Sequence, residues 1–578
     1  MEPADRRRLI RSVAVAVGVV AFGFRLTTLR DLTNDHYMHL AWAQQVLFGQ
    51  LPGRDFVDPG MPLMYTLSAI VQWIWPGPFS EAALSCVLIA LAATATFVVA
   101  TDLTGSIVIG IAASLFEIAL APRLYSYPKI LVPAVALLLI QGYIRRPDRR
   151  RVIYLAVWTE VAVLLRHDLG LYAAAGIGTA LVVARAADWK RMTRALIEYE
   201  AAVVAVMLPY VIFIQWTEGI GEHFHEALEF AKGEAHQRFL APPAFPFWSA
   251  VGGLASWSRM DCAVFLFYAA NLLAVVTLVL LVRTKEPRSD RMPVAAGGLA
   301  MLLMYLAIVL RHPIDTRVQD VGALLSIMGA WALVETARRA AIAARTGWNR
   351  AAIASAAMFL LTATVALAST ASMWMLGDVG SRIMETRVID GPGTIERTIE
   401  GVKETGTVWP WERFWPAGEL PPAVRYLNAC TTRDDAVLLT WAAPEYYFFA
   451  RRRFGAGHAL FLPPDAFTTA HDQERMLERI RHDRIPIVLI NESRNEEFAK
   501  AYPDVERYLR AEYVPAGHFD IRDGSHITIA IHRTLKGSRT YEPEGWPCGF
   551  DTRAASKTAS TMLDGSAIPL PAMSNAVP

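Results

Sequence analysis

Asn34-Asp35-His36-Tyr37 and, after Ala43, Gly49-Gln50-Leu51-Pro52-Gly53-Arg54-Asp55-Phe56-Val57-Asp58-Pro59-Gly60-Met61-Pro62-Leu63-Met64-Tyr65 lie between two long apolar runs, and their placement governs how the chain is read. Before them comes an apolar segment of about residues 10–29, preceded by Arg6, Arg7, Arg8 and Arg11. After them comes another at about 82–101. A bilayer crossing needs roughly 20 mostly apolar residues. The first run has the charge profile of a signal peptide, yet no small-residue cleavage site follows and many further spans do, so it reads as an uncleaved first helix.

Working outward, eleven such runs are expected, at about 10–29, 82–101, 105–121, 129–144, 152–165, 169–184, 196–214, 262–282, 293–310, 318–336 and 351–374. With the N-terminus in the cytoplasm, the inside segments hold Arg6–Arg11, then Arg145 to Arg151, then Arg185 to Arg194, then Arg283 to Arg291, then Arg338 to Arg350. This is the cationic bias of cytoplasmic loops. Thr101–Thr104 alone lacks Lys and Arg, being short enough to be a tight hairpin. The quoted stretch then faces outward, and eleven crossings leave the C-terminus outside. Bulk composition agrees: the 578 residues are 54% hydrophobic and only 19% charged, with a net charge of +2, so most of the chain belongs in lipid and nothing argues for a nucleic-acid partner.

Two outside segments are long, Arg30 to about Glu81 and Gln215 to about Asp261. Asp35–Phe48 and Glu222–Phe239 within them read as aromatic-rich helices along the membrane interface. After about Trp374 a linker (Gly391–Gly406) leads to alternating apolar runs and polar helices. Ala436–Trp441, Ile485–Ile490 and His526–His532 read as strands. Asp472–Arg484 and Asn495–Tyr513 read as helices, the second interrupted near Pro503. The expected organisation is a mainly α, polytopic membrane domain of about eleven transmembrane helices over 1–375, an extracytoplasmic α/β domain with a partly parallel sheet over 376–542, and a disordered tail over 543–578. Four cysteines are too few and too scattered for a disulfide framework. A Cys430–Cys548 bridge is permitted by the sequence without being required by it.

The first outer loop resembles that of GT-C-type glycosyltransferases, the polyprenyl-phosphate-sugar-dependent membrane enzymes that include protein O-mannosyltransferases and the aminoarabinose transferase of lipid A. The resemblance rests on an acidic residue just after the first span, an interfacial helix, a Gly-x-x-Pro-x-x-Asp-Phe-like turn and a Pro-Leu opening the next apolar segment. Asp35, Gly49, Pro52, Asp55, Phe56, Pro62 and Leu63 carry it here. His36 replaces the second acid of the Asp-Glu and Asp-Asp subfamilies. The resemblance implies transfer of a sugar from a polyprenyl-phosphate donor to an extracytoplasmic glycan, lipid or protein at a bacterial inner membrane, with no resident metal.

Such a transfer needs a carboxylate to take the acceptor proton and cations to hold the leaving phosphate. Asp35 is the expected base. Its structural alternative is an N-cap of the interfacial helix. Asp55 and Asp58 are further catalytic candidates whose alternative is turn chemistry around Pro59-Gly60. In the loop Ala121–Lys129, Arg123 and Lys129 are phosphate candidates with Tyr127, and Glu117 is the nearest carboxylate. Snorkelling cations and an aromatic belt explain the same residue types without function. Arg166-His167-Asp168, and Arg311-His312 in the cluster that runs to Arg317, complete the substrate-binding candidates, against internal ion pairing. His36, His39, His223, His225 and His236 show no recurring ligand spacing. Two other functions stand beside the enzyme. One is a transporter or flippase of a lipid-linked sugar, favoured by Glu160 in mid-span but not by the absence of a visible repeat. The other is an inactive relative acting as a scaffold.

Overall fold

A computed structural model describes residues 3–29, 34–58, 60–225, 243–246, 257–283, 290–310, 314–345, 350–388, 422–459, 461, 470–483, 485–521, 524–542 and 544–550, with single positions 228, 232, 391 and 396. Most of Glu222–Phe239 and of the linker Gly391–Gly406, and all of Arg311, His312 and residues 551–578, lie outside the described residues. The chain divides into two compact units, Met1–Leu47 with Asp58–Trp409 and Phe48–Val57 with Pro410–Pro578.

The first unit is helical. Its elements are α1 (Pro3–Thr27), α2 (Asn34–Leu47), α3 (Pro62–Ile74), α4 (Pro78–Thr104), α5 (Ile107–Ala119), α6 (Tyr127–Arg145), α7 (Arg149–Leu165), α8 (His167–Arg185), α9 (Trp189–Thr217), α10 (Arg259–Arg283), α11 (Arg291–Val309), α12 (Gly322–Arg345) and α13 (Arg350–Leu376). Each of the eleven expected apolar segments falls on one of these helices. Among the described residues, eight helical stretches are long and apolar enough to cross a bilayer. The other three, α5, α7 and α11, have 13, 17 and 19 residues.

Local chemistry sets the boundaries. Ser106 caps α5 through Ile109 N, Asp148 caps α7 through Arg151 N, and Asp188 caps α9 through Arg191 N, each side chain satisfying an amide that the first turn leaves without a partner. Between helices, small residues permit close approach where no hydrophobic effect drives association. At the α8–α11 crossing, a Cβ on Gly297 would stand 2.8 Å from the carbonyl oxygen of Gly176. Large apolar side chains such as Ile89, Leu103, Ile130 and Leu137 fill the bundle core, while Val19, Leu171, Val204 and Leu367 face outward, as lipid-facing positions do.

The second unit holds a five-stranded sheet of order β2-β1-β3-β5-β4, with β1 at Ala436–Leu439, β2 at Arg453–Phe454, β3 at Ile487–Asn491, β4 at Tyr513–Asp520 and β5 at His526–His532. β1 runs parallel to both β2 and β3, and the β3–β5 and β5–β4 pairs are antiparallel. Helices Ala470–His482, Asn495–Ala501 and Pro503–Glu512 accompany it, the break at Pro503 lying where the sequence places it. Phe48–Val57 belongs here through Val57 N bonded to Gly457 O at 3.0 Å and the Phe56 ring edge-on to Phe454. The tail is ordered further than the sequence suggests. β6 (Gly537–Tyr541) pairs with β7 (Trp546–Phe550), and Cys548 is bonded to Cys430. The covalent tie and the burial of Trp546 hold a strand that its composition alone does not announce.

Candidate functional site

One end of the helical unit collects charged side chains from four places distant in sequence. Asp35 comes from the first turn of α2. That helix already includes Asn34, so Asp35 stands inside the turn and does not cap it. Its carboxylate is in hydrogen-bonding reach of the Tyr125 hydroxyl. The segment before α6 contributes Arg123, whose guanidinium lies over the Tyr125 ring at 4.7 Å from the centroid, a cation–π contact. α6 opens at Tyr127 with Pro128 in its first turn, where proline's missing N–H costs nothing, and this start delivers Lys129.

Lys129 Nζ donates to Asp320 Oδ2, and Arg123 Nη2 lies 3.9 Å from the same oxygen. Asp320 sits on the 3-10 turn Val318–Val321 that leads into α12. Arg317, one turn earlier, lies in electrostatic range of Asp320, Arg123, Tyr125 and Arg166. At the α7–α8 junction the backbone of Arg166 is extended, and its side chain grips Asp168 with two parallel bonds, Nε to Oδ1 at 2.6 Å and Nη2 to Oδ2. Lys129 feels both Arg166 and Arg317. Asp320 and Lys129 are 3% and 5% exposed. The pairing is nevertheless incomplete. Arg123 Nε and Nη2, Arg317 Nε and Asp320 Oδ1 are buried and make no hydrogen bond among the described residues, and unmade bonds of buried charged groups are costly.

The helical unit also holds an apolar cavity of about 380 Å³, lined by side chains of α3, α4, α6 and α7, including Leu67, Leu88, Val98, Leu131, Trp158 and Leu165. Leu131 lies two residues beyond Lys129 and Leu165 directly precedes Arg166.

Behind Asp35, the same helix turns His36 and His39 toward Glu81 of α4, their Nδ1 atoms 3.8 and 3.7 Å from Glu81 Oε1, all three side chains almost fully buried. Burial holds the His36 imidazole below its ordinary value, although Glu81 pulls the other way. Both rings stand edge-on to Tyr125, so this group braces the face that carries Asp35.

The other expected residues are placed elsewhere. Asp55 belongs to the second unit, where it is taken up by Arg54 (2.9 and 2.7 Å) and by the amide of Leu51 (2.8 Å). Burial pushes its carboxyl up, but these partners outweigh burial and hold it below its ordinary value. Asp58 accepts from Gly60 N at 2.9 Å and faces Tyr65, His223 and Glu218. Burial pushes it up to about 6, against the pull of the Gly60 and Met61 amides and of His223. His167 turns to that same group, bonded to Tyr210 at 3.0 Å and edge-on to His223. Consecutive residues of one triplet therefore serve two clusters. Tyr127 is buried beside Glu81. Glu117 is buried between helices beside Thr96, its carboxylate making no hydrogen bond among the described residues. Among the described residues no group of three or more His, Cys, Asp or Glu side chains is arranged to hold a metal ion.

Sequence reasoning did not assign Asp320, Tyr125 or Glu81. A signal existed for Asp320: an acid three residues after Arg317 at the start of an apolar segment, where isolated charges are expensive.

No family model and no curated protein matches the chain. Among solved structures it is similar to ArnT from Cupriavidus metallidurans in the apo state, with 13% identity, a TM-score of 0.43, and coverage of 91% of this chain and 98% of that one.

Proposed function

We propose that this chain is a membrane glycosyltransferase of the GT-C type that takes a sugar from a polyprenyl-phosphate donor and passes it to an extracytoplasmic glycan, lipid or protein acceptor. The observation that carries the reading is the underfilled cation cluster around Lys129 and Asp320, in a helical unit that also holds an apolar cavity. An anionic head group answers the unsatisfied N–H groups of Arg123 and Arg317, and a hydrocarbon chain answers the cavity wall. A lipid phosphate has both parts. Lys129, Arg123, Arg317 and Arg166 hold the phosphate in this reading, and Asp35, beside the cluster through Tyr125, takes the acceptor proton. Asp55 and Asp58 are engaged elsewhere and serve structure. The disulfide supports an oxidising compartment for the C-terminal unit, in keeping with eleven crossings from a cytoplasmic N-terminus in a bacterial inner membrane.

Binding of a polyprenyl phosphate to purified protein in nanodiscs tests this. Lys129→Met removes one charge-assisted bond and is expected to weaken binding at least tenfold, in line with roughly 1.5–3 kcal/mol for hydrogen bonds to charged groups. Equal binding by wild type and variant overturns the phosphate assignment. Binding without any sugar transfer to a co-reconstituted acceptor, coupled to movement of lipid between leaflets, makes the chain a transporter.

A further inference from the structure

Lys129 reaches no anion without first contending with Asp320. That acid engages Lys129 with one carboxylate oxygen while the other, Oδ1, is buried and makes no hydrogen bond among the described residues. Arg123 Nε and Nη2 and Arg317 Nε converge on the same turn with bonding capacity to spare. A carboxylate that used this site well would spend both oxygens. This one occupies charge without filling the geometry.

The charges around it can be counted. Among the described residues, Lys129, Arg123, Arg317 and Arg166 face Asp320, Asp168 and Asp35, so four cations against three acids leave one positive charge. In a weakly screened site the charge of the guest is matched to that excess. Resting on the donor-phosphate reading above, we propose that Asp320 is a specificity-determining residue, an internal anion that fits the site to a singly charged phosphodiester and speeds the departure of a more highly charged phosphate.

The transfer itself makes this matter. The bond from the sugar's anomeric carbon to the phosphate oxygen breaks, its electron pair staying on that oxygen. A bond forms from the anomeric carbon to the acceptor oxygen, whose proton passes to Asp35. The donor, a monoanionic diester, thereby becomes a monoester able to carry two negative charges. While Asp35 keeps that proton the two charges are matched; once Asp35 gives it up and is charged again, the second charge has no matching cation with Asp320 present. With Asp320 removed it has one, and the product is held.

The experiment compares three lipids of one chain length, a polyprenyl methyl phosphodiester, the monophosphate and the diphosphate, in nanodiscs at fixed salt and pH. Wild type is expected to prefer the diester. Asp320→Asn is expected to tighten monophosphate and diphosphate at least about tenfold more than the diester, and to lower kcat by retaining product while KM does not rise. Asp320→Glu should keep the wild-type order. Asp320→Asn leaves a buried ammonium uncompensated and is therefore paired with Asp320→Asn/Arg317→Gln, which restores the charge count and should restore the preference for the diester. If the single variant weakens all three lipids alike, or the double variant fails to restore the order, Asp320 merely organises its cations and the proposal is overturned. If wild type binds none of the three, the donor-phosphate reading falls with it.

Discussion

Asp35 has two readings, and its neighbours bear on both. As a free carboxylate near a helix start it has an ordinary structural use, since acids are favoured in the first turn by the unpaired amides and the helix dipole. Its place in the first turn fits that use, while Tyr125 beside it, which also carries Arg123 over its ring, connects it to the cation cluster, with Glu81, His36 and His39 packed behind it. Asp35→Asn keeps the size and an oxygen that can accept from Tyr125, but it cannot take up a proton as the carboxylate does. The expected result is a folded protein with an unchanged melting temperature and a transfer rate lowered by about 10²–10⁴-fold, measured in nanodiscs beside a thermal melt. Near-normal turnover would reduce Asp35 to a structural acid. The loop pattern after the first span points to Asp35 and the outer-loop cations Arg123 and Lys129, and the cost of charge at a span end points to the Arg166–Asp168 pair. Asp320 escaped because its meaning depends on Lys129, 191 positions away, and sequence spacing carries no such distance.

At the scale of elements, periodicity and hydropathy identify helices well, because burial in lipid demands long apolar runs whatever the tertiary contacts. All eleven expected segments lie on helices. Strands were read where they are apolar and central, as β1, β3 and β5 are. β4 was missed because Pro515 and Gly517 interrupt it, and the register shifts between them at the sheet edge, where such residues are tolerated. Helix contacts are less legible, since a glycine in an apolar run reads the same whether it packs or not. The structure separates two cases on α8 and α11. Gly297 faces the Gly176 backbone, whereas a Cβ on Gly178 would meet nothing within 4 Å. Gly297→Leu is expected to force the helices apart, to displace the α8 start that holds Arg166 and Asp168, and to lower both melting temperature and lipid-phosphate binding. Gly178→Ala should be neutral or gain about 0.5–1 kcal/mol from helix propensity. Equal effects from the two substitutions, read by thermal melts in the same detergent, would show that the close crossing contributes nothing.

The whole molecule poses a question of compartment, because every role given to the cation cluster assumes that it faces the side where the acceptor is found. Two independent features bear on it. One is the sequence of Arg-rich turns, whose spacing predicts a cytoplasmic N-terminus and, with eleven expected crossings, a C-terminus outside. The other is covalent. Cys430 and Cys548, 118 residues apart, tie the start of the second unit to its last described strand, and a bridge of this kind persists where thiols are not kept reduced. Cys86 and Cys262, by contrast, are buried and free within apolar helices. If the crossing count were even, the bridge would sit in the cytoplasm and be reduced, so the two features stand or fall together. A phosphatase reporter that is active only after forming its own disulfides, fused after Arg533 or at the C-terminus, is expected to be active, and the same reporter after Arg146 inactive. Non-reduced protein extracted in the presence of an alkylating thiol reagent should carry label on neither Cys430 nor Cys548, and reduction should lower the melting transition of the second unit. Removing a native bridge from a small domain typically costs about 2–5 kcal/mol, and Cys430→Ser or Cys548→Ser should cost the same as reduction. An inactive C-terminal reporter together with alkylated cysteines would invert the topology, move the Lys129–Asp320 cluster to the cytoplasmic side, and require a donor and acceptor that meet there.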